Sequence, residues 1–288
     1  MFPRIGLTFL LACAFCALRS MEADAEKLRS PFEKKAEKAM RSAPPDTPRT
    51  QAPNRLLGGI APHHDLALPM IVRFYQRLTE SLGEGQEVRR VWLFAPDHFR
   101  RVRGLAAVCD LDWALSTGTL ETDEEARKAL EGVAEAAGET IFAPEHGITI
   151  HIPLIARYFP GARVVPVLLN PKIPDVGLII LRNKILELFR GGDVVILSMD
   201  LSHYKTPEAM AVEDEKTLPA LTQLRFRATD GLDVDARRAA ALALMLFKAL
   251  GVKEGQVLER MDTSDILGRR LKSGTSYATV VYGKFDDE

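Results

Sequence analysis

Imidazole and carboxylate side chains occur together at four places in this sequence, and they could carry metal or proton-transfer chemistry. All six histidines lie between His63 and His203. The clusters read Ala-Pro-His63-His64-Asp65, Ala-Pro-Asp97-His98, Pro-Glu145-His146 with His151 following, and Ser198-Met199-Asp200-Leu201-Ser202-His203. Imidazole and carboxylate are ligands of divalent transition metals and are also common general acids and bases. The clusters therefore predict one assembled polar site.

Three of the clusters directly follow short apolar runs, which places them at the ends of predicted strands. His63 and His98 each follow a run that ends in Ala-Pro, and proline stops the ladder of a strand. In an open α/β sheet, the loops at the carboxyl ends of the strands converge on one crevice. We therefore predict that His63 and His98 are metal ligands. A structural histidine bonded to the backbone is the alternative for each.

The spacing of the remaining polar residues suggests different roles. Asp200 and His203 are three residues apart, which puts both on one side of a turn, and a carboxylate beside an imidazole forms an oriented acid/base pair. Asp200 could also cap a following helix. His146 and His151 would lie about 140° apart around a helix, so both cannot face one metal. His146 is the better pocket residue, whereas His151 is explained equally well by packing.

The elements that must position these residues alternate along the chain. Apolar runs predict buried strands at residues 56–61, 91–95, 105–109, 163–169, 194–198 and 276–282. Helical spacing predicts helices at residues 68–82 and 175–189, one after a capping box from Thr122 to Glu125, and one that Asp235 caps at its N-terminus. This alternation indicates a single α/β domain with a largely parallel central sheet flanked by helices.

Composition excludes some classes of partner. Basic residues number 38 and acidic residues 39, so no global charge attracts nucleic acid or an anionic membrane. Of the three cysteines, only Cys109 lies outside the first 20 residues. A thiolate-rich zinc site is therefore excluded from the folded region, and Cys109, within an apolar run, is predicted to be a buried structural thiol.

The N-terminus has the features of a leader. Residues 1–20 contain an apolar run that is too short to span a bilayer but suits a signal peptide, and Leu-Leu-Ala-Cys13 is similar to a lipoprotein cleavage site. A lipid on Cys13 would be the only membrane anchor of an exported protein. The alternative is a cytoplasmic protein that starts at Met21. We predict that residues 21–51 are a tether and residues 52–288 the folded domain.

Five motifs occur in the order and spacing of the Memo family, also called AmmeMemoRadiSam system protein B. They are Ile60-Ala61-Pro62-His63, Pro96-Asp97-His98, Glu145-His146-Gly147-Ile148 with His151-Ile152-Pro153, Pro166-Val167-Leu168, and Ser198-x-Asp200-x-x-His203. The resemblance covers roughly residues 55 to 285. The Memo family in turn resembles the class III extradiol dioxygenases, which are non-haem iron enzymes. The resemblance therefore implies a dioxygenase-like fold.

The resemblance also implies a role for individual residues. His63 and His98 would be metal ligands, and Asp200 would share their pocket with His203, which would be the acid/base histidine. Glu145 and His146 would line the pocket. Animal members carry a cysteine late in the chain, where this sequence reads Arg260-Met261-Asp262-Thr263-Ser264-Asp265-Ile266.

We predict that Asp265, or Asp262 in second place, replaces this cysteine as the third ligand. Two histidines and one carboxylate would leave coordination positions open at Fe(II). The alternative is a site that does not bind metal tightly.

Three functions follow as hypotheses. The first is a metal-binding Memo-family protein with non-haem-iron redox or dioxygenase-like activity, with Fe(II) as the expected metal and zinc or copper as alternatives. The second is a zinc-dependent hydrolase. The third is a non-enzymatic module that binds metal or a peptide. The substrate would be a small molecule or a peptide, and the resemblance implies a pathway link to a radical-SAM protein.

Overall fold

A mixed β-sheet of nine strands forms the centre of the protein. The computed structural model describes residues 26–42, 55–83 and 85–284. The strands of these residues are β1 (Leu28–Arg29), β2 (Arg55–Ala61), β3 (Arg90–Pro96), β4 (Ala106–Cys109), β5 (Trp113–Leu115), β6 (Gly118–Leu120), β7 (Glu135–Ala137), β8 (Arg163–Leu169), β9 (Asp193–Ser198), β10 (His203–Lys205), β11 (Gly255–Asp262) and β12 (Gly274–Lys284).

Helices cover the sheet. They are α1 (Glu33–Ser42), α2 (Leu68–Glu80), α3 (Glu124–Ala129), α4 (Glu139–Phe142), α5 (His146–Thr149), α6 (Ile152–Tyr158), α7 (Asp175–Leu188), α8 (Pro207–Thr222), α9 (Arg237–Ala249) and α10 (Thr263–Leu267). Two buried clusters of apolar side chains lie between the sheet and the helices. One includes side chains of α7 and α9, and the other includes side chains of α2 and α6. Within the described residues, no helix is both long and apolar enough to cross a membrane.

The centre of the sheet is parallel and its flanks are mixed. The strands lie in the order β10, β12, β2, β9, β3, β8, β4 and β7, and β11 also pairs with β12. β2, β9, β3 and β8 are parallel neighbours. β12 runs antiparallel to β2, and β4 runs antiparallel to β8 but parallel to β7. Near-continuous apolar runs form the parallel strands because helices bury both of their faces. The predicted α/β class is confirmed.

All six predicted strands are present, with bounds that differ by at most two residues. The sequence did not predict β11, whose residues are mostly half-buried and of which half are polar, as is usual for a strand at the margin of a sheet. Thr122 was predicted to open the capping box of α3, but Asp123 is its N-cap and accepts a hydrogen bond from the backbone N–H of Ala126.

The segment before β2 packs on the domain, which corrects the predicted tether for residues 26–42. Leu28 is buried and pairs with Trp113 of β5, and Ala36 of α1 is also buried. The Ser30 hydroxyl donates a 2.6 Å hydrogen bond to the carbonyl oxygen of Thr149, at the end of α5. The segment has few large apolar residues, which is why the sequence predicted a tether, but the few that it has are buried at this interface. Residues 1–20, with Cys13, and Met21 lie outside the described residues.

The packing of β1 predicts a measurable stability effect. Leu28→Ala should lower the free energy of unfolding by about 2 kcal/mol, because a buried leucine leaves a cavity when it is truncated. Urea unfolding followed by circular dichroism measures this change. Arg29→Ala on the exposed face of the same strand is the matched control and should change stability by less than about 0.5 kcal/mol. Equal, negligible effects would mean that this segment does not pack on the domain in solution.

Candidate metal centre

The site lies where three parallel strands end side by side. β2 pairs with β9, which pairs with β3, and the register puts Ala61 of β2 opposite Ser198 of β9. His63 follows β2 by two residues and His98 follows β3 by two residues. The loops after these strands therefore meet at one edge of the sheet, as the Ala-Pro-His pattern indicated.

Three imidazole rings converge at this edge. The ring centroids of His63 and His98 are 4.8 Å apart, those of His63 and His146 are 5.1 Å apart, and His98 stacks on His146 at 4.2 Å. Each ring offers a nitrogen to a group in which all ligand atoms lie within 4.8 Å of one another. The histidines of three separate clusters in the sequence are therefore close enough to share one ion.

Asp235 completes the cluster, and the sequence did not predict this role. Its Oδ2 atom lies 2.9 Å from Nε2 of His63 and 3.5 Å from Nε2 of His98. Asp235 was predicted to cap α9, but that helix begins at Arg237 after Ala236 and no side chain caps it. A carboxylate that precedes a helix is usually a cap, so local sequence could not reveal that this one turns to distant histidines.

The carboxylate of Asp200 lies between His63 and His203. Its Oδ1 atom accepts a 2.9 Å hydrogen bond from the backbone N–H of His63, and its Oδ2 atom lies 3.8 Å from Nε2 of both His63 and His203. The alternative role of Asp200 as a helix cap is wrong, because β10 follows it and Thr206 caps α8. Asp200 is buried, whereas His203 is partly exposed at the edge of the cluster.

Glu145 is completely buried and fixes the position of His98. One carboxylate oxygen lies 2.6 Å from Nδ1 of His98, and the other accepts a 3.1 Å hydrogen bond from the His98 backbone N–H. The same residue caps α5 by accepting from the backbone N–H of Gly147. Because α5 begins with His146, one carboxylate positions two of the three imidazoles.

The other two histidines stand apart from the cluster of converging ligand atoms. Nδ1 of His151 is 3.0 Å from the hydroxyl of Tyr75 in the core, so packing explains this residue. Burial lowers the pKa of His151 to about 3, which keeps its imidazole neutral. His64 is partly exposed, and its Nδ1 atom accepts a hydrogen bond from the backbone N–H of Leu66.

Asp265 does not join the histidines, which corrects the predicted third ligand. Its carboxylate accepts a 2.8 Å hydrogen bond from the backbone N–H of Asp262, and Asp262 accepts bonds from Ser264 and Asp265 in return. These contacts form a capping box at the start of α10. Neither aspartate belongs to a metal-binding group among the described residues. The backbone N–H groups at the start of a helix need hydrogen-bond acceptors, and this requirement holds both carboxylates at the start of α10.

The buried carboxylates favour the protonated forms of two imidazoles. Burial alone would lower the pKa of His98, but the carboxylates of Asp235 and Glu145 beside the ring outweigh it and raise the pKa to about 10. Burial likewise opposes protonation of His63, yet the charges of Asp200 and Asp235 raise its pKa above the usual value. Burial and the neighbouring His63 and His98 lower the pKa of His146 to about 4. Positive charge therefore concentrates beside Asp235.

Comparison with known proteins identifies the family of this chain. The model of the family described as Memo-like protein matches residues 20–281. The chain belongs to the Memo-like family. A MEMO1 family protein of Caldivirga maquilingensis is 27% identical over 203 residues, which cover 67% of this chain and 71% of that protein. A MEMO1 family protein of Methanopyrus kandleri is 26% identical over 255 residues, which cover 83% of this chain and 88% of the relative.

One solved structure shows that the Memo-like fold extends to distant sequences. The crystal structure of the uncharacterized protein JW3007 from Escherichia coli matches with a TM-score of 0.50 at 14% identity. The match covers 80% of this chain and all of that chain. The family match also includes residues 26–42, in agreement with their packing on the domain.

The contact between Glu145 and His98 predicts a pKa change. Glu145→Gln removes the buried charge that favours the protonated imidazole, so the pKa of His98 in the metal-free protein should fall from about 10 towards the ordinary value. NMR titration of the histidine ring protons measures this shift. Glu139→Gln, at an exposed position of α4, is the control and should leave the pKa unchanged. An unchanged His98 pKa in Glu145→Gln would contradict the ion pair.

Proposed function

We propose that this Memo-like protein binds one divalent metal ion through His63, His98 and Asp235 and uses it for non-haem-iron redox chemistry. The observation that carries the proposal is the Oδ2 atom of Asp235. This atom is buried and accepts no hydrogen bond of normal geometry, although it lies 2.9 Å from Nε2 of His63 and 3.5 Å from Nε2 of His98. A buried carboxylate oxygen that accepts no well-aligned hydrogen bond is costly, and a metal ion between it and the two imidazoles would satisfy it.

The spacing of the donors supports this assignment. Ligand atoms bound at about 2.1 Å lie about 3.0 Å apart in an octahedral site and about 3.4 Å apart in a tetrahedral one. The distances from Asp235 to the His63 and His98 nitrogens, 2.9 and 3.5 Å, fall close to these values. Two imidazoles and one carboxylate are also the donor set that leaves open positions at Fe(II).

The partners of the other ring nitrogens support the same orientation. Nδ1 of His98 contacts the carboxylate of Glu145, and Nδ1 of His63 lies 3.0 Å from the hydroxyl of Ser198. An acceptor at Nδ1 keeps the proton there and leaves the lone pair of Nε2 for a metal. Both Nε2 atoms lie within 3.5 Å of the same oxygen of Asp235, so all three atoms could bind one ion.

The remaining polar residues suit proton transfer. A bound Fe(II) ion would supply open coordination positions and redox chemistry. His203 would accept or release a proton at Nε2, which lies 3.8 Å from the buried Asp200 carboxylate. His203 is partly exposed, so it can exchange its proton with solvent.

A zinc-dependent hydrolase is the second candidate because of His146. His63, His98 and His146 form a second group of converging ligand atoms, and three imidazoles are a common set for catalytic zinc. Burial lowers the pKa of His146 to about 4, so its ring is neutral and able to bind a metal at neutral pH. Analysis of the metal retained after anaerobic purification separates the two candidates, since iron favours redox chemistry and zinc favours hydrolysis.

Metal titrations of four variants and the unaltered protein test the proposed ligands. His98→Ala removes a donor atom and Asp235→Asn removes a ligand charge, so each should weaken Fe(II) binding by more than about 100-fold. Glu145→Gln should weaken Fe(II) binding by about 10 to 100-fold, because Glu145 only orients the ligand His98. Asp265→Asn is the matched control and should bind like the unaltered protein. Anaerobic isothermal titration calorimetry measures the affinities, with circular dichroism to verify folding.

Two results would contradict the assignment. If folded Asp235→Asn binds metal like the unaltered protein, Asp235 is not a ligand. If Asp265→Asn loses as much affinity as His98→Ala, the ligand in α10 that the sequence indicated is correct after all.

Metal binding should also be coupled to proton release. His98 is protonated in the metal-free protein because its pKa is about 10, and a metal must displace that proton. The apparent metal affinity should therefore rise as the pH increases from 6 towards 9. Calorimetry in two buffers with different ionisation enthalpies should show at least about one proton released per metal at pH 7. Affinity that does not depend on pH in this range would contradict the proposed ligand.

A further inference from the structure

We propose that Arg237 binds the carboxylate of a small organic acid in a cavity beside Asp235, which makes small carboxylate-bearing molecules the substrate class of this protein. The inference deepens the proposed function and rests on it for the reaction, but Arg237, which would bind the carboxylate, is not a proposed metal ligand.

The cavity adjoins the candidate metal centre. It has a volume of about 350 Å³ and lies between the ends of β3 and β8 and the start of α9. Asp235 is part of its wall, and the Oδ2 atom of the same side chain faces His63 and His98. This volume lies at the lower end of the range of small-molecule pockets, about 300 to 1,000 Å³. The cavity therefore suits a small molecule rather than a peptide.

The wall combines apolar and cationic groups. Its lining includes the apolar residues Pro96, Leu169 and Pro171 and the two arginines Arg237 and Arg238. An organic acid matches this combination, because its carbon skeleton would contact the apolar residues while its carboxylate contacts an arginine. Arginine binds carboxylates with two parallel hydrogen bonds, which fixes the orientation of the ligand.

Only one of the two arginines is available. Arg238 is largely buried and forms ion pairs of 2.7 Å with Asp175 and 3.1 Å with Asp230. Arg237 is exposed, and no ion pair or hydrogen bond of its guanidinium is found in the part of the chain that the structure describes. The two carboxylates that line the cavity already have cationic partners, since Asp230 pairs with Arg238 and Asp235 faces the histidines. The charge of Arg237 is therefore uncompensated.

The position of Arg237 in α9 adds to this imbalance. The helix begins with Arg237 and Arg238, has no acidic residue in its first turn, and receives no side-chain cap. The N-terminus of a helix carries partial positive charge, so the unpaired Arg237 there is unfavourable unless an anion is present. Asp235 would be the usual cap, but it is turned towards the imidazoles. An anion bound by Arg237 would offset the positive charge of both its guanidinium group and the N-terminus of α9.

Binding of benzoate to the metal-free protein tests the pocket directly. Benzoate has an apolar ring and one carboxylate, and benzamide has the same shape without the charge. Calorimetry should detect benzoate binding to the unaltered protein and no binding of benzamide. Arg237→Gln should weaken benzoate binding at least about tenfold, and Arg237→Lys should restore part of it, because lysine keeps the charge but loses the paired hydrogen bonds.

Arg227→Gln is the matched control. Arg227 is another exposed arginine, in a separate groove lined by Phe226 and Lys248, so its replacement should leave benzoate affinity unchanged. Benzoate binding that survives Arg237→Gln, or that Arg227→Gln reduces equally, would overturn the proposal. Inorganic phosphate that competes with benzoate at equal or lower concentration would also overturn it, since the pocket would then select phosphate over carboxylate.

A separate Fe(II) titration distinguishes this proposal from the metal assignment. Arg237→Gln should keep the metal affinity of the unaltered protein, because the side chain is not a ligand. If the protein binds benzoate through Arg237 but binds no metal, the anion pocket is supported and the metal centre is refuted. If it binds metal but its benzoate affinity does not depend on Arg237, the metal centre is supported and the anion pocket is refuted.

Discussion

The parallel pairing of β2, β9 and β3 is the constraint on which the site depends. It places the carboxyl ends of three strands in one row, so that His63, His98 and Asp200 meet although they are far apart in the sequence. β2 approaches β9 closely at Gly58, where φ is 142° and a Cβ atom would lie 1.8 Å from the carbonyl oxygen of Val195. Only glycine tolerates both the close contact and this backbone angle.

The burial of negative charge is the energetic consequence of this arrangement. Asp200 and Glu145 are buried, and the Oδ2 atom of Asp235 is buried as well. Charges removed from water must be paired, and here imidazoles and backbone N–H groups supply the partners. In the metal-free protein, protonation of His98 compensates part of this negative charge. A divalent metal would take over the same role, so proton release would accompany metal binding at this site.

The N-terminal segment, residues 26–42, contacts the elements that carry the site. Ser30 holds the end of α5, whose first residue is His146. Lys35 of α1 forms a 2.7 Å ion pair with Asp65, two residues after His63. The segment therefore restrains two loops that carry imidazoles, and its packing links the stability of the domain to the geometry of the site.

The sequence by itself determined the buried strands, the alternation with helices and the loops in which His63 and His98 lie. These features depend on apolar periodicity and on prolines at strand ends, which act over a few residues. Asp200, His203, Glu145 and His146 were also found this way, since each lies beside a strand end or another polar residue of the cluster.

Only the tertiary structure decided which carboxylate faces the histidines. Asp235 and Asp265 both lie at the start of a helix, and either could cap it or turn away. Asp265 closes a capping box with Asp262, whereas α9 begins beyond Asp235 and leaves its carboxylate free to reach His63 and His98. Similarly, residues 26–42 look too polar for a core, yet Leu28 and Ala36 fill a surface that exists only once the sheet has formed. Such choices depend on contacts between distant segments, and local sequence patterns do not contain them.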